Sequence, residues 1–148
     1  MPELYLFSAF LLFLATLLSF YFFGVYANLF SSDRFYIPGF CRLSNNVCTS
    51  IVDTKYGRIF GISNALAGTI FLFSQTVVLV CTYFNLISNH YAFFMSLVSV
   101  SLGAYLIYGL IKLKVKCNVC ITVHAINMIV FTMQLMNISE WVLVYFYF

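Results

Sequence analysis

Asn85-Leu86-Ile87-Ser88-Asn89-His90 is the stretch that decides the fold, because it interrupts an otherwise uncharged apolar run. From Ile59 to Ile111, 53 residues, no Asp, Glu, Lys or Arg occurs. As one helix rising about 1.5 Å per residue, that run would far exceed a hydrocarbon core about 30 Å thick. Breaking it at the polar cluster predicts two spanning helices, about 61–84 and about 91–111. Upstream, Leu4 to about Phe30 reads as another span. Downstream, Lys112, Lys114 and Lys116 form a short connection, and a fourth span runs from about Cys117 to Met136. The tail from Asn137 to Phe148 is apolar after Glu140, and either extends the fourth helix or lies in the membrane interface. The fold class is thus an all-α membrane bundle of four transmembrane helices, a single domain over 1–148.

Composition agrees. Hydrophobic residues make up 64% of the 148 and charged residues 7%, against about 25% charged in soluble domains. So few charges cannot clothe a soluble surface, and the chain reads as a multi-pass protein of the cell membrane, in contact with the lipid bilayer. No charge run and no interleaving of basic and aromatic residues points to nucleic acid. Leu4 to Ser32 is charge-free, far longer than the roughly 7–15-residue core of a signal peptide, and no basic segment precedes it.

Between the first two spans lies a polar loop, about 31–60, with Asp33, Arg34, Arg42, Asp53, Lys55 and Arg58. Pro38-Gly39 and Ser44-Asn45-Asn46 are turn signals within it. Connectors of about 30 residues are usually functional or disordered. Four crossings put this loop and the lysine connection on the same side of the membrane. Cys41, Cys48, Cys117 and Cys120 therefore share one face.

A helix beginning at Cys117 sets Cys117, Cys120, His124 and Asn127 along one stripe. The helix N-terminus and the neighbouring Lys114 and Lys116 favour thiolate over thiol at Cys117. Such a thiolate can attack a disulfide offered by the loop. Cys41 and Cys48 bracket six residues, a spacing that permits an accessible, exchanging bridge. Structural bridges are the plain alternative. A four-thiolate zinc site fits less well, since the Cys41/Cys48 gap exceeds the usual two to four residues; no metal is expected. Cys81, inside the second span, reads as a packed thiol. Asn64, Gly68, Phe71 and Gln75 share a stripe on the second span, and Ser96, Ser99 and Gly103 share one on the third, where small residues let backbones approach. Asn64 and His124 lie at the depth of the cysteines. They either satisfy each other across helices or hydrogen-bond the two carbonyl oxygens of a quinone ring. His90, in the opposite connection, reads as solvated.

In order, Phe40-Cys41, Cys48, Thr54-Lys55-Tyr56-Gly57-Arg58-Ile59-Phe60-Gly61, Asn64 to Gly68, Cys117-Asn118-Val119-Cys120-Ile121-Thr122 and Ala125-Ile126-Asn127 resemble the vitamin K epoxide reductase family, over roughly residues 5 to 136. That resemblance implies a four-helix bundle holding a quinone of the ubiquinone, menaquinone or vitamin K type beside the Cys-x-x-Cys. It also implies that the loop cysteines relay electrons from a thioredoxin-like protein. By position, Cys41 and Cys48 resemble the pair that meets this partner. Cys48 would exchange with Cys117, and Cys120 would react with the quinone. Asn64 resembles the family's amide donor to a quinone oxygen, and Thr54 falls where the family has a serine or threonine near the pocket. Vertebrate members carry a tyrosine where this chain has His124. No thioredoxin-like domain follows the fourth span, so the partner is expected to be a separate chain. The expected activity is that of a thiol:quinone oxidoreductase generating disulfides in its partner. The alternatives are a vitamin K epoxide or quinone reductase proper, and a non-catalytic tetraspan protein with structural bridges. A second four-helix disulfide-generating family places its later cysteine pair in the loop between helices three and four, unlike Cys117 and Cys120.

All seven basic residues fall on the cysteine side. Taken literally, the positive-inside rule turns that face to the cytosol. Most disulfide-making enzymes face an oxidising compartment instead, so chemistry and topology pull in opposite directions.

Overall fold

The computed structural model describes residues 2–29 and 52–147. Cys41 and Cys48, and the expectations attached to them, lie outside the described residues. The helices are α1 (Pro2–Tyr26), α2 (Asn64–Tyr83), α3 (Asn89–Leu113) and α4 (Asn118–Tyr147), with a small hairpin of β1 (Arg58–Ile59) and β2 (Ile62–Ser63) leading into α2. All four helices are long and apolar enough to cross a membrane, as expected for a four-span bundle. The tail continues α4 through Glu140 to Tyr147, which settles the alternative that the sequence left open.

Chain reversals come from residues that tolerate the left-handed backbone. Asn85 takes φ 58°, and the Leu86 N–H returns to the Cys81 carbonyl at 2.9 Å, closing α2 in a Schellman turn. α1 ends the same way at Asn28 (φ 58°) and α3 at Lys114 (φ 54°), with Leu29 and Val115 donating back to Gly24 and Leu110. Asparagine suits this position because its short polar side chain reduces the left-handed penalty. At its other end α2 is capped by Ser63, whose hydroxyl accepts from the Leu66 N–H at 3.3 Å. The hairpin before it pairs Arg58 with Ser63 and Ile59 with Ile62. Its two-residue turn, Phe60 (φ 51°) and Gly61 (φ 83°), has the double positive φ that matches strand twist.

α1 packs most closely on α2, and α4 packs on both α3 and α1, while α2 and α3 touch least of the four adjacent pairs. Leu12, Ala15, Leu79, Ala92 and Val130 are wholly buried. Hydrogen bonds join neighbouring helices at three levels. Ser19 Oγ donates to the Ala65 carbonyl at 3.1 Å, Gln75 Nε2 to Ser96 Oγ at 2.9 Å, and Gln134 Nε2 to Ser8 Oγ at 3.4 Å. In lipid such bonds locate helices more than they stabilise them, at about 0.6 kcal/mol each.

Candidate active site

Where α2 and α3 diverge, a cavity of about 260 Å³ opens at the end of the bundle that carries the cysteines. Each helix contributes: Ser19 and Phe22 from α1, Asn64 to Leu72 from α2, Ser99 to Leu110 from α3, and Val119 to Asn127 from α4. Val52, Tyr56 and Gly57, from the segment before α2, also line it. No charged side chain is among these lining residues, and most of the wall is apolar.

Cys120, His124 and Asn127 line the cavity from α4, as their shared stripe predicts. Cys120 is a half-buried free thiol. Cys117 sits one residue before α4, wholly buried, with its carbonyl accepting from the Ile121 N–H at 3.0 Å as an N-cap does. It is not among the lining residues, so the two cysteines of the motif face different surroundings. The His124 ring fits over Gly103. A Cβ at position 103 would stand 2.8 Å from His124 Nδ1. The small residues of α3 therefore serve three different ends: Ser96 bonds Gln75, Ser99 lines the cavity, and Gly103 makes room for an imidazole.

Asn64 opens α2 and is fixed from both ends. Its backbone N–H donates to the Gly57 carbonyl at 2.8 Å, and its side-chain Nδ2 donates to the Tyr56 carbonyl. That second bond orients the amide, because reversing it would set two carbonyl oxygens against each other. Thr54 is half-buried; its backbone carbonyl accepts from the Gly57 N–H at 3.1 Å. Thr54 thus belongs to the turn that presents Tyr56 and Gly57, and is not itself among the lining residues. Phe71 and Gly68 line the cavity beside Asn64, whereas Gln75 from the same stripe is used to hold α3.

Tyr56 is a residue whose position sequence reasoning did not foresee. Only 5% exposed, it enters a slot on α3 that exists because residue 109 is glycine. A Cβ there would lie 2.6 Å from Tyr56 Cγ and 2.7 Å from its Cβ. Tyr105 and Tyr108 flank the ring, with centroids 5.6 and 6.3 Å away, and Lys55 Nζ lies 5.1 Å from its centroid. Arg58 fastens the same segment: Nε donates to the Val52 carbonyl at 3.2 Å and Nη2 to the Tyr26 hydroxyl at 3.3 Å, while that hydroxyl donates to Asp53 Oδ1 at 3.1 Å. The Arg58–Asp53 pair itself, 3.5 Å apart and largely exposed, contributes little energy.

Three buried polar atoms on residues lining the cavity have no hydrogen-bond partner among the described residues: Asn64 Oδ1, His124 Nδ1 and Asn127 Oδ1. Buried polar groups are paired in the great majority of cases. Gln75 Oε1 and both side-chain polar atoms of Asn137, away from the cavity, are likewise without a partner among the described residues. Cys120 borders the same space.

The family model described as Vitamin K epoxide reductase family matches residues 6–135. No curated protein and no solved structure matches the chain.

Proposed function

The chain belongs to the vitamin K epoxide reductase family and is a multi-pass membrane oxidoreductase, and from that premise we propose that it is a thiol:quinone oxidoreductase generating disulfides in a thioredoxin-like partner. The observation that carries the reading is the convergence of Cys120 with Asn64, His124 and Asn127 on one apolar cavity. The residues suit a quinone ring in size and chemistry. About 260 Å³ is close to the lower bound of ligand pockets, about 300 Å³, which matches a ring headgroup. A quinone bound there supplies an acceptor for two electrons and two protons.

Cys120 presents its sulfur to the cavity, and Cys117, one helical turn earlier, is its disulfide partner. Two electrons and two protons leave this dithiol as its S–S bond forms. The Cys41–Cys48 pair restores the dithiol by exchange through Cys48 and Cys117, and is itself reduced by the partner protein. Asn64 and His124 orient the ring from opposite walls, His124 held against Gly103 and Asn64 held by the Tyr56 carbonyl. The Thr54–Gly57 turn serves the site by aiming that carbonyl. Apolar walls keep water away, so the thiol hands its electrons to the ring and not to dissolved oxidants. The cysteine face is cytosolic in this reading, since Lys112, Lys114 and Lys116 adjoin it along with the basic residues of the loop.

The test is dithiol-dependent quinone reduction by purified protein in detergent. Wild type should turn over, and Cys120→Ser should be inactive. Cys41→Ser should lose activity with a protein dithiol while keeping some with a small one. Absence of activity with every quinone tried, together with resistance of both pairs to mild reductant, would make the cysteines structural and end the enzyme reading.

A further inference from the structure

We propose that the tip of the hairpin before α2, Phe60 together with Ile62, inserts into the interface of the bilayer and anchors the segment that holds Asn64. The partner is the lipid surface itself, and the proposal stands whatever reaction the cavity supports.

Phe60 is unfavourable on two counts if it faces water. It takes the first position of a two-residue turn with φ 51°, where Asn, Asp or Gly is preferred and a bulky side chain is strained. It is also 100% exposed, with Ile62 52% exposed beside it. A Cβ on Gly61 would meet nothing within 4 Å, so the other turn residue stands in open space as well. Among the described residues nothing covers the ring. A local rule broken without an internal gain points to something outside the chain.

Height decides what that is. α2 starts at Asn64, directly after the hairpin, and its 20 residues reach about as far as the hydrocarbon core is thick. Ser63 therefore sits at the edge of that core. A two-residue strand rising about 3.3 Å per residue carries the tip only about 7 Å from there. The headgroup layer adds about 5–7 Å on each side. Even pointing straight outward, the tip would scarcely clear the headgroups, and any lean towards the membrane brings the ring among acyl chains.

The surroundings fit the same level. Tyr105 and Tyr108 are 45% and 55% exposed near this end of α3, where a belt of aromatic side chains marks the membrane edge. Lys55 and Lys112, both exposed, hold their ammonium groups 5.1 and 5.7 Å from the Tyr56 and Tyr108 ring centroids, at the height of lipid phosphates. No charge occurs from Ile59 to Ser63, and Arg58 at the base is turned back to the Val52 carbonyl and the Tyr26 hydroxyl. An apolar tip over a basic base is the division found in segments that lie in the interface. The Tyr56 and Gly57 carbonyls that hold Asn64 immediately precede the hairpin, so lipid contact at the tip steadies one wall of the cavity.

The experiment uses the full chain reconstituted in phosphatidylcholine vesicles. Trp141, the single tryptophan, is replaced by Phe, and Phe60→Trp supplies the probe. Bromines at carbons 6 and 7 of the acyl chains should quench its fluorescence at least about twofold, bromines at carbons 11 and 12 should quench it less, and aqueous iodide should have little effect. Efficient quenching by iodide with no effect of either bromolipid overturns the proposal. Phe60→Asn gives a second test, because the two surroundings predict opposite signs. In water asparagine relieves the turn, and amide exchange over 55–63 would slow or stay the same. With the tip in lipid, loss of the ring should speed that exchange at least about threefold. Slower or unchanged exchange overturns the proposal. So does a raised KM for a protein dithiol with unaltered exchange, which would make the tip a docking point for that protein.

Discussion

Gly109→Ala should disable the site from a position that does not line the cavity. The added methyl would stand 2.6, 2.7 and 2.9 Å from Tyr56 Cγ, Cβ and Cδ1. Cβ is fixed to the backbone, so no rotamer change relieves its contact, and the whole 54–57 turn must lift. Overpacking of this kind costs about 1–3 kcal/mol. Tyr56 also loses its place between Tyr105 and Tyr108, worth about 0.5–1.5 kcal/mol per ring pair. The combined cost, about 2–6 kcal/mol, falls on one turn, and the turn carries the carbonyl that holds Asn64. A misplaced positioning group can cost about a hundredfold in rate. Thermal unfolding in detergent should show a modest loss, while dithiol-dependent quinone reduction should fall at least about tenfold. Tyr56→Gly removes all three clashing atoms, so adding Gly109→Ala to it should cost almost nothing further, a non-additivity that reports direct contact. Wild-type activity in Gly109→Ala, or an equal effect of that change in both backgrounds, would refute the reasoning.

Two further outcomes are expected. Gly103→Ala, which places a methyl 2.8 Å from His124 Nδ1, should turn the imidazole out of position and raise KM for quinone about tenfold, with a stability loss of about 1–3 kcal/mol; unchanged KM would separate His124 from the ligand. For topology, a membrane-impermeant maleimide applied to intact cells should leave reduced Cys41 unlabelled, and ready labelling from outside would turn the protein over.

The sequence was legible where a residue acts through its own character. Asn85 reverses the chain because asparagine adopts the left-handed conformation, and the absence of charge between Ile59 and Ile111 requires two spans. The helical period alone sets Cys120, His124 and Asn127 on one side. What could not be read depends on fits between distant segments. Nothing local marks Gly109 as a slot for Tyr56, or Gly103 as a seat for His124 rather than for a helix backbone. The burial of Cys117 was hidden too, because a position at the lip of a helix suggests access to solvent. The course of the tail was undecided because Glu140 interrupts the apolar pattern without breaking the helix.

The four helices are unequal, and the inequality makes bilayer thickness a variable that acts on the chemistry. α2 has 20 residues against 25 in α1 and α3 and 30 in α4. At about 1.5 Å per residue it extends about 30 Å, no more than an average hydrocarbon core, whereas α4 extends about 45 Å. A thicker membrane can be met by the longer helices through less tilt, but α2 has no length in reserve. Its first residue is Asn64, so any strain from mismatch arrives at a residue of the cavity wall. Lipids a few ångströms too long would thus act as inhibitors without ever entering the cavity.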